Sequence, residues 1–160
     1  MNGLQRVIGK LGTTRAFAAV GRALTRVDER LLRKTGGRFG IGSPIGLRTL
    51  LLTSTGRRSG QPRQVPLLYV ERDGAYIVIG SNWGGEKHPA WSANLIDHPE
   101  ATITTRGRTL AVRARLLTGD ERQQMWDAVA AYWPAYDTYA TRAAHREIRV
   151  FRLDPVSRAE

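Results

Sequence analysis

Residues Leu50–Arg63 read LLLTSTGRRSGQPR. An apolar run with β-branched and hydroxyl residues leads into a glycine-bounded turn, then toward a second extended run at Gln64–Val70. A strand that returns as a strand, rather than as a helix, points to antiparallel pairing. The remaining segments agree. Leu47–Thr53, Gln64–Val70 and Ala75–Gly80 are predicted strands, with Glu71-Arg72-Asp73-Gly74 as the hairpin link between the last two. Pro66 inside a strand implies an edge or a bulge, since proline donates no ladder hydrogen bond. Ala101–Thr105 and Thr109–Leu117 form a further hairpin through Arg106-Gly107-Arg108, and Glu147–Leu153 is a final strand. Helices are expected at His88–Asp97, Asp120–Tyr132 and Tyr136–Ala144. Because helices do not alternate regularly with strands, a doubly wound sheet is excluded. The expected fold is α+β, a small antiparallel barrel of about six strands with flanking helices.

Upstream, residues 4–34 read as an amphipathic helix with a break near Gly12-Thr13-Thr14. Leu4, Val7, Ile8, Leu11, Phe17, Val20, Leu24, Val27 and Leu31 make an apolar stripe. Lys10, Arg15, Arg22, Arg26, Arg30 and Arg33 occupy the other surface. Two readings of this helix stand: it packs on the barrel, or it lies on an anionic membrane surface. The organisation expected is an N-terminal helix over residues 1–36 and a barrel over residues 37–160.

The bulk properties exclude several classes. The chain has 160 residues, no cysteine, three histidines and a net charge of +11. Residues 1–40 hold nine Lys and Arg against Asp28 and Glu29, so much of the excess is N-terminal. Without thiolates, and with so few histidines, no metal site is expected. No apolar run approaches the roughly eighteen residues of a membrane span. No signal-peptide pattern opens the chain, so a cytoplasmic location is expected, with the inner face of the plasma membrane as the place for any peripheral contact. No recognition motif accompanies the charge, so nucleic acid is not an expected partner. Oligomeric state stays open.

The turn Thr53–Gly60 lacks the spacing of a Walker loop and of a dinucleotide fingerprint. It offers Arg57, Arg58 and Arg63 as fork-shaped donors suited to phosphate, with Ser59 beside them. A second stretch, Ser81–Pro99, reads SNWGGEKHPAWSANLIDHP. Polar residues at a strand end followed by two glycines suit close approach of a ligand to backbone. Trp91 and Asn94 are equally readable as core and cap, and His88 and His98, each before a proline, as structural. No Ser-His-acid triad or carboxylate pair is apparent. An enzyme of this kind would use a bound cofactor for its chemistry.

Taken together, LLLTSTGRRSGQPR, PLLY and GSNWGGEKHPAWSANLIDHP resemble the deazaflavin-dependent nitroreductase family, over about residues 25–153. The resemblance implies a split β-barrel and coenzyme F420, with FMN as the alternative cofactor. It implies hydride transfer to a lipophilic small-molecule acceptor: a quinone, enone or nitro compound. A non-catalytic cofactor or lipid carrier is the other class of function. By the same resemblance, Arg57, Arg58, Ser59 and Arg63 hold the coenzyme phosphate and acidic tail. Val65 and Pro66 lie beside the ring, Ser81, Asn82 and Lys87 contact ring and ribityl chain, and Pro89 and Trp91 pack on the cofactor. Tyr136 and Tyr139 line the acceptor pocket, and with Ser81 they are the candidate proton donors. The chain departs from the family at Asn82, Leu68, Trp83 and Trp133, which separates family fold from nitro-drug activation.

Overall fold

The computed structural model describes residues 3–156. The side chains at positions 3–6 lie outside the described residues, Leu4 of the apolar stripe among them. Among the described residues, five α-helices and seven strands follow in the order α1 (Gly3–Gly12), α2 (Arg15–Thr35), β1 (Thr49–Thr55), β2 (Pro62–Leu68), β3 (Val70–Arg72), β4 (Ala75–Ile79), α3 (Ala90–Asp97), β5 (Glu100–Thr105), β6 (Arg108–Leu116), α4 (Gly119–Tyr132), α5 (Ala135–Arg142) and β7 (Val150–Pro155). The class is α+β, as expected, but the strands number seven. The predicted Gln64–Val70 strand divides at Tyr69.

That division lets the sheet curl round. Strand order is β2-β1-β5-β6-β7-β4-β3, and neighbouring strands pair antiparallel. The two edge strands, β2 and β3, are therefore one continuous stretch of chain, which pairs with β1 before Tyr69 and with β4 after it. The Tyr69 amide donates to the Arg48 carbonyl at 3.2 Å, and its buried hydroxyl meets Thr105 Oγ1 at 3.1 Å. The sheet curls around this corner into a half-barrel. Pro66 sits on the edge strand opposite Leu51, where its missing N–H costs no central hydrogen bond.

Strand alternation then divides the core in two. Leu50, Leu52, Val78, Ile103, Val112, Phe151 and Leu153 fill the inside of the curl, and Trp91 and Leu95 of α3 cover it. Ile77, Ile79 and Val150 point outward, against Trp126, Val129, Trp133, Tyr136 and Tyr139 from α4, α5 and the link between them. Two turns are tighter than the sequence suggested. Asp73-Gly74 and Arg106-Gly107 are two-residue hairpin loops with positive φ at both positions, the geometry that matches strand twist.

The N-terminal segment is two helices, broken at the expected place. Thr14 caps α2, its Oγ1 accepting from the Phe17 amide at 3.1 Å. The packing face of α2 takes only part of the apolar stripe: Phe17 packs on the core, but the middle of the stripe does not. Ala18 and Leu32 are buried, and Gly21 seats Trp83 so closely that a Cβ there would overlap the indole. Val20, Leu24 and Val27 are 56%, 39% and 51% exposed, and Val7 and Leu11 on α1 are also exposed. The stripe lies sideways because only a residue without a side chain admits the tryptophan, and that rotates the helix. No helix among the described residues is long and apolar enough to cross a membrane.

Candidate functional site

The turn after β1 is held as a unit. The Gly56 amide donates to the Gln61 carbonyl at 2.8 Å, and the Gly60 amide to the Gly56 carbonyl at 2.7 Å, with Gly60 at φ +68°. A side chain at Gly56 would meet Ser59 Oγ. Asn94 of α3 fastens the turn to the barrel: its Oδ1 accepts from the Arg57 amide at 3.1 Å, and its Nδ2 donates to Ser54 Oγ at 3.3 Å. Asn94 is a cap, as one reading of the sequence had it, but what it caps is the arginine turn.

Between that turn, the Asn82 loop and the start of α3 lies a cleft of about 690 Å³. Arg57, Arg58, Ser59, Arg63, Val65, Asn82, Pro89 and Trp91 line it, so eight residues singled out from two distant stretches meet there. His88 and Asn94, read as structural, line it too. Arg57, Arg58 and Arg63 are exposed, and among the described residues their guanidinium groups make one long hydrogen bond, from Arg63 to Ser59 Oγ at 3.5 Å. Three guanidinium groups with no carboxylate partner among the described residues make a site for a polyanion. The donor set fits a phosphodiester with an acidic tail, and Pro89 and the edge of Trp91 line the cleft beside it.

A second cavity, about 420 Å³ and largely apolar, opens under α1 and α2. Phe17, Leu24, Pro66, Trp83 and Tyr136 are among its lining residues. The two cavities share walls. On β2, Val65 faces the cleft and its neighbour Pro66 faces the apolar cavity. After β4, Asn82 faces the cleft and Trp83 the apolar cavity. Adjacent residues turn to opposite sides at Asn82-Trp83 because both take left-handed backbone conformations, with φ +47° and +55°.

Three expected site residues line neither cavity. Ser81 is buried, and its carbonyl accepts from Arg146 Nη2 at 2.8 Å. Lys87 is exposed, and its carbonyl accepts from Asn82 Nδ2 at 3.0 Å, which braces the loop. Tyr139 is buried, with its hydroxyl donating to the Gly12 carbonyl at 3.0 Å. That bond fastens α5 to the end of α1 and occupies the proton that a donor role would need. Tyr136 differs: it is buried, lines the apolar cavity, and burial pushes its hydroxyl well above the ordinary tyrosine range. Asp28, absent from the sequence-based candidates, is the one carboxylic acid among the cavity's described lining residues. Its Oδ1 accepts from the Ile41 amide at 2.7 Å, and burial, opposed by that bond, raises its carboxyl above the usual range. The available signal was its isolation as one of two acids in a strongly basic segment. No group of metal-ligating side chains occurs among the described residues.

A family model described as F420H(2)-dependent quinone reductase matches residues 20–155. The F420H(2)-dependent quinone reductase Rv1261c of Mycobacterium tuberculosis is 33% identical over 96 residues, covering 60% of this chain and 64% of that protein. The chain thus spans just under two thirds of the length of that curated relative. Among solved structures, the F420-H2 dependent reductase FDR-A is 36% identical with a TM-score of 0.61, over 66% of this chain and 93% of the other. A domain-swapped dimer is 33% identical with a TM-score of 0.64, over 80% and 96%. The match over residues 20–155 takes in the arginine turn, the Asn82 loop and both cavity walls, and the chain belongs to the F420H(2)-dependent quinone reductase family.

Proposed function

We propose that this chain transfers hydride from reduced coenzyme F420 to a quinone. The observation that carries the reading is the shared wall: a cationic cleft and an apolar cavity meet at Val65-Pro66 and Asn82-Trp83. The relatives named above are described as F420H(2)-dependent, which supports the deazaflavin over FMN.

In this reading Arg57, Arg58, Arg63 and Ser59 neutralise the phosphate and tail, and Val65, Asn82, Pro89 and Trp91 receive the ring. Ser81 and Lys87 act through the loop they belong to. The bound coenzyme supplies the hydride. The protein contributes position, an apolar acceptor pocket and hydrogen bonds. Tyr136 holds its proton firmly at neutral pH, so it serves as a neutral hydrogen-bond donor that polarises an acceptor carbonyl. Reduction of a quinone also consumes one proton, and Asp28, half-buried on the same cavity, is the residue we assign to deliver it from solvent. Tyr139 is assigned the supporting role that its bond to Gly12 describes.

The exposed stripe on α1 and α2 supports a further part of this reading. Val7, Leu11, Val20, Leu24 and Val27 flank an apolar cavity and are bordered by Lys10, Arg22 and Arg26. We propose that this face rests on anionic lipid, from which a lipophilic quinone enters.

Titration of the protein with coenzyme F420 and with FMN, followed by reoxidation of the reduced coenzyme by menadione, tests the central reading. Selective F420 binding and quinone-dependent reoxidation are expected. Preference for FMN overturns the cofactor assignment, and F420 binding without turnover across quinones, enones and nitroaromatics makes the protein a carrier.

A further inference from the structure

Arg146 lies outside the family's recognisable turn and loop, yet its guanidinium is committed to that loop. Nη2 donates to the Ser81 carbonyl at 2.8 Å and to the Gly85 carbonyl at 3.0 Å. Nε donates to the same Gly85 carbonyl at 3.2 Å. Nη1 reaches the Gly80 carbonyl at 3.4 Å and His88 Nδ1 at 3.2 Å. An arginine side chain has five N–H groups, and these five contacts use all of them.

The loop so held needs holding. Asn82, Trp83 and Gly84 follow one another with φ of +47°, +55° and +74°. Two of the three are not glycine, so the loop pays a conformational cost that surrounding structure must offset. This conformation is what turns Asn82 to the cleft and Trp83 to the apolar cavity. Neighbouring contacts reinforce the same junction: the Gly80 amide donates to the Arg149 carbonyl at 2.8 Å, and His145 Nε2 lies 2.7 Å from the Glu86 carbonyl.

The contact with His88 also sets its tautomer. A guanidinium donates and never accepts. Nδ1 of His88 must therefore be the acceptor, and the proton of the neutral ring sits on Nε2. His88 lines the cleft, so this ring offers a neutral N–H donor there. Protonation would place a second N–H on Nδ1, facing the Arg146 N–H.

We propose that Arg146 is a positioning residue, holding the Ser81–Gly85 loop and the His88 tautomer in the arrangement that receives the coenzyme, and that protonation of His88 weakens this hold by removing its one histidine contact. The proposal rests on the F420 reading above. The charges around His88 favour the neutral ring. Arg146, Arg149 and His145 face it from the segment before β7. Glu86 and Lys87 precede it in its own loop, and Arg57, Arg58 and Arg63 line the cleft with it. Burial first, then Arg149, Arg146 and His145, lower its pKa below the ordinary histidine value. All five contacts are thus in place at neutral pH, and acid conditions remove the one to His88.

Calorimetric titration with coenzyme F420 compares about pH 7.5 with about pH 4.5, the lower point set well below the ordinary histidine range because the His88 value is lowered. Wild-type affinity is expected to fall several-fold at the lower pH. Arg146→Lys keeps the charge but loses the fork, and affinity at the higher pH is expected to drop about tenfold, the loss of roughly one charge-assisted hydrogen bond. His88→Gln still offers Arg146 an amide oxygen but does not titrate, so its pH profile should be flatter than that of wild type. The coenzyme's own acids titrate against both proteins alike, so the difference between profiles isolates the histidine. A pH-independent wild-type affinity, a His88→Gln profile that parallels wild type, or Arg146→Lys binding like wild type overturns the proposal. Nitrogen NMR of the imidazole in the free protein supplies a readout independent of binding. The Nε2–H tautomer is expected for His88 in wild type, with tautomers mixed in Arg146→Lys. A tautomer lock in a protein that binds no F420 at any pH would retain the Arg146 hold and overturn the coenzyme reading instead.

Discussion

Arg57 and Arg58 illustrate what one residue type reveals by itself. Guanidinium groups on a glycine-bounded turn indicate an anion whatever the fold. The structure adds that they have no carboxylate partner among the described residues and stand over a cleft. Arg57→Ala combined with Arg58→Ala should weaken coenzyme F420 binding by about 2 kcal/mol or more, on charge-assisted bonds of roughly 1.5–3 kcal/mol each. Both side chains are exposed, so the loss should shrink as salt is added, which titrations at low and high ionic strength would detect. Arg146 was not legible in the same way. Its carbonyl partner at Ser81 lies 65 positions away, and no local pattern announces a pairing across that distance. His88 shows a related limit: a histidine before a proline has no legible partner until the fold brings Arg146 to its ring.

At the scale of elements, strands and turns were largely legible because their rules are local. Alternation, glycine in two-residue loops and proline on an edge all depend on near neighbours. The orientation of α2 was not. An apolar stripe normally faces the core, yet here Ala18, Gly21 and Leu32 do so beside Phe17, while Val20, Leu24 and Val27 stay exposed. Gly21 and Trp83 decide this, and the indole is further framed by Phe17 and Tyr139, with ring centroids 6.4 and 6.1 Å away. Gly21→Ala should therefore lower the melting temperature, even though alanine is favoured over glycine in a helix by about 1 kcal/mol. In a Trp83→Ala background the same change should become neutral or stabilising, because the overlap is gone. Equal effects of Gly21→Ala in both backgrounds would show that the contact does not set the helix.

The whole molecule brings α1 and α2 over the apolar cavity, and two consequences belong to that scale. Asp28 is half-buried between helix and sheet, and its carboxyl is raised above 3.8 because burial outweighs the Ile41 bond. The folded state then holds this proton more tightly than the unfolded chain does. Its contribution favours folding below 3.8 and is lost as pH rises through the folded value. Asp28→Asn should remove that loss. The variant should be more stable than wild type at neutral pH, with the gap closing as pH falls toward about 4, measured by urea unfolding. The second consequence concerns the exposed stripe. Val20→Glu with Leu24→Glu and Val27→Glu should abolish flotation with anionic vesicles and leave coenzyme binding in solution intact. Undiminished flotation would remove the lipid contact from the proposed function.

Sequence alone determined the secondary elements, the antiparallel class, the anion-seeking turn and the family resemblance, because these follow from spacing, turn chemistry and charge along neighbouring residues. It also placed the two motif stretches in order, and eight of their residues do meet in one cleft. Only the tertiary structure decided that the sheet curls round at Tyr69, that α2 turns its small residues inward, and that a second cavity shares a wall with the first. The physical reason is the same in each case. These outcomes depend on contacts between segments far apart in the chain, where a tryptophan needs a glycine to rest on and a strained loop needs a distant arginine to hold it.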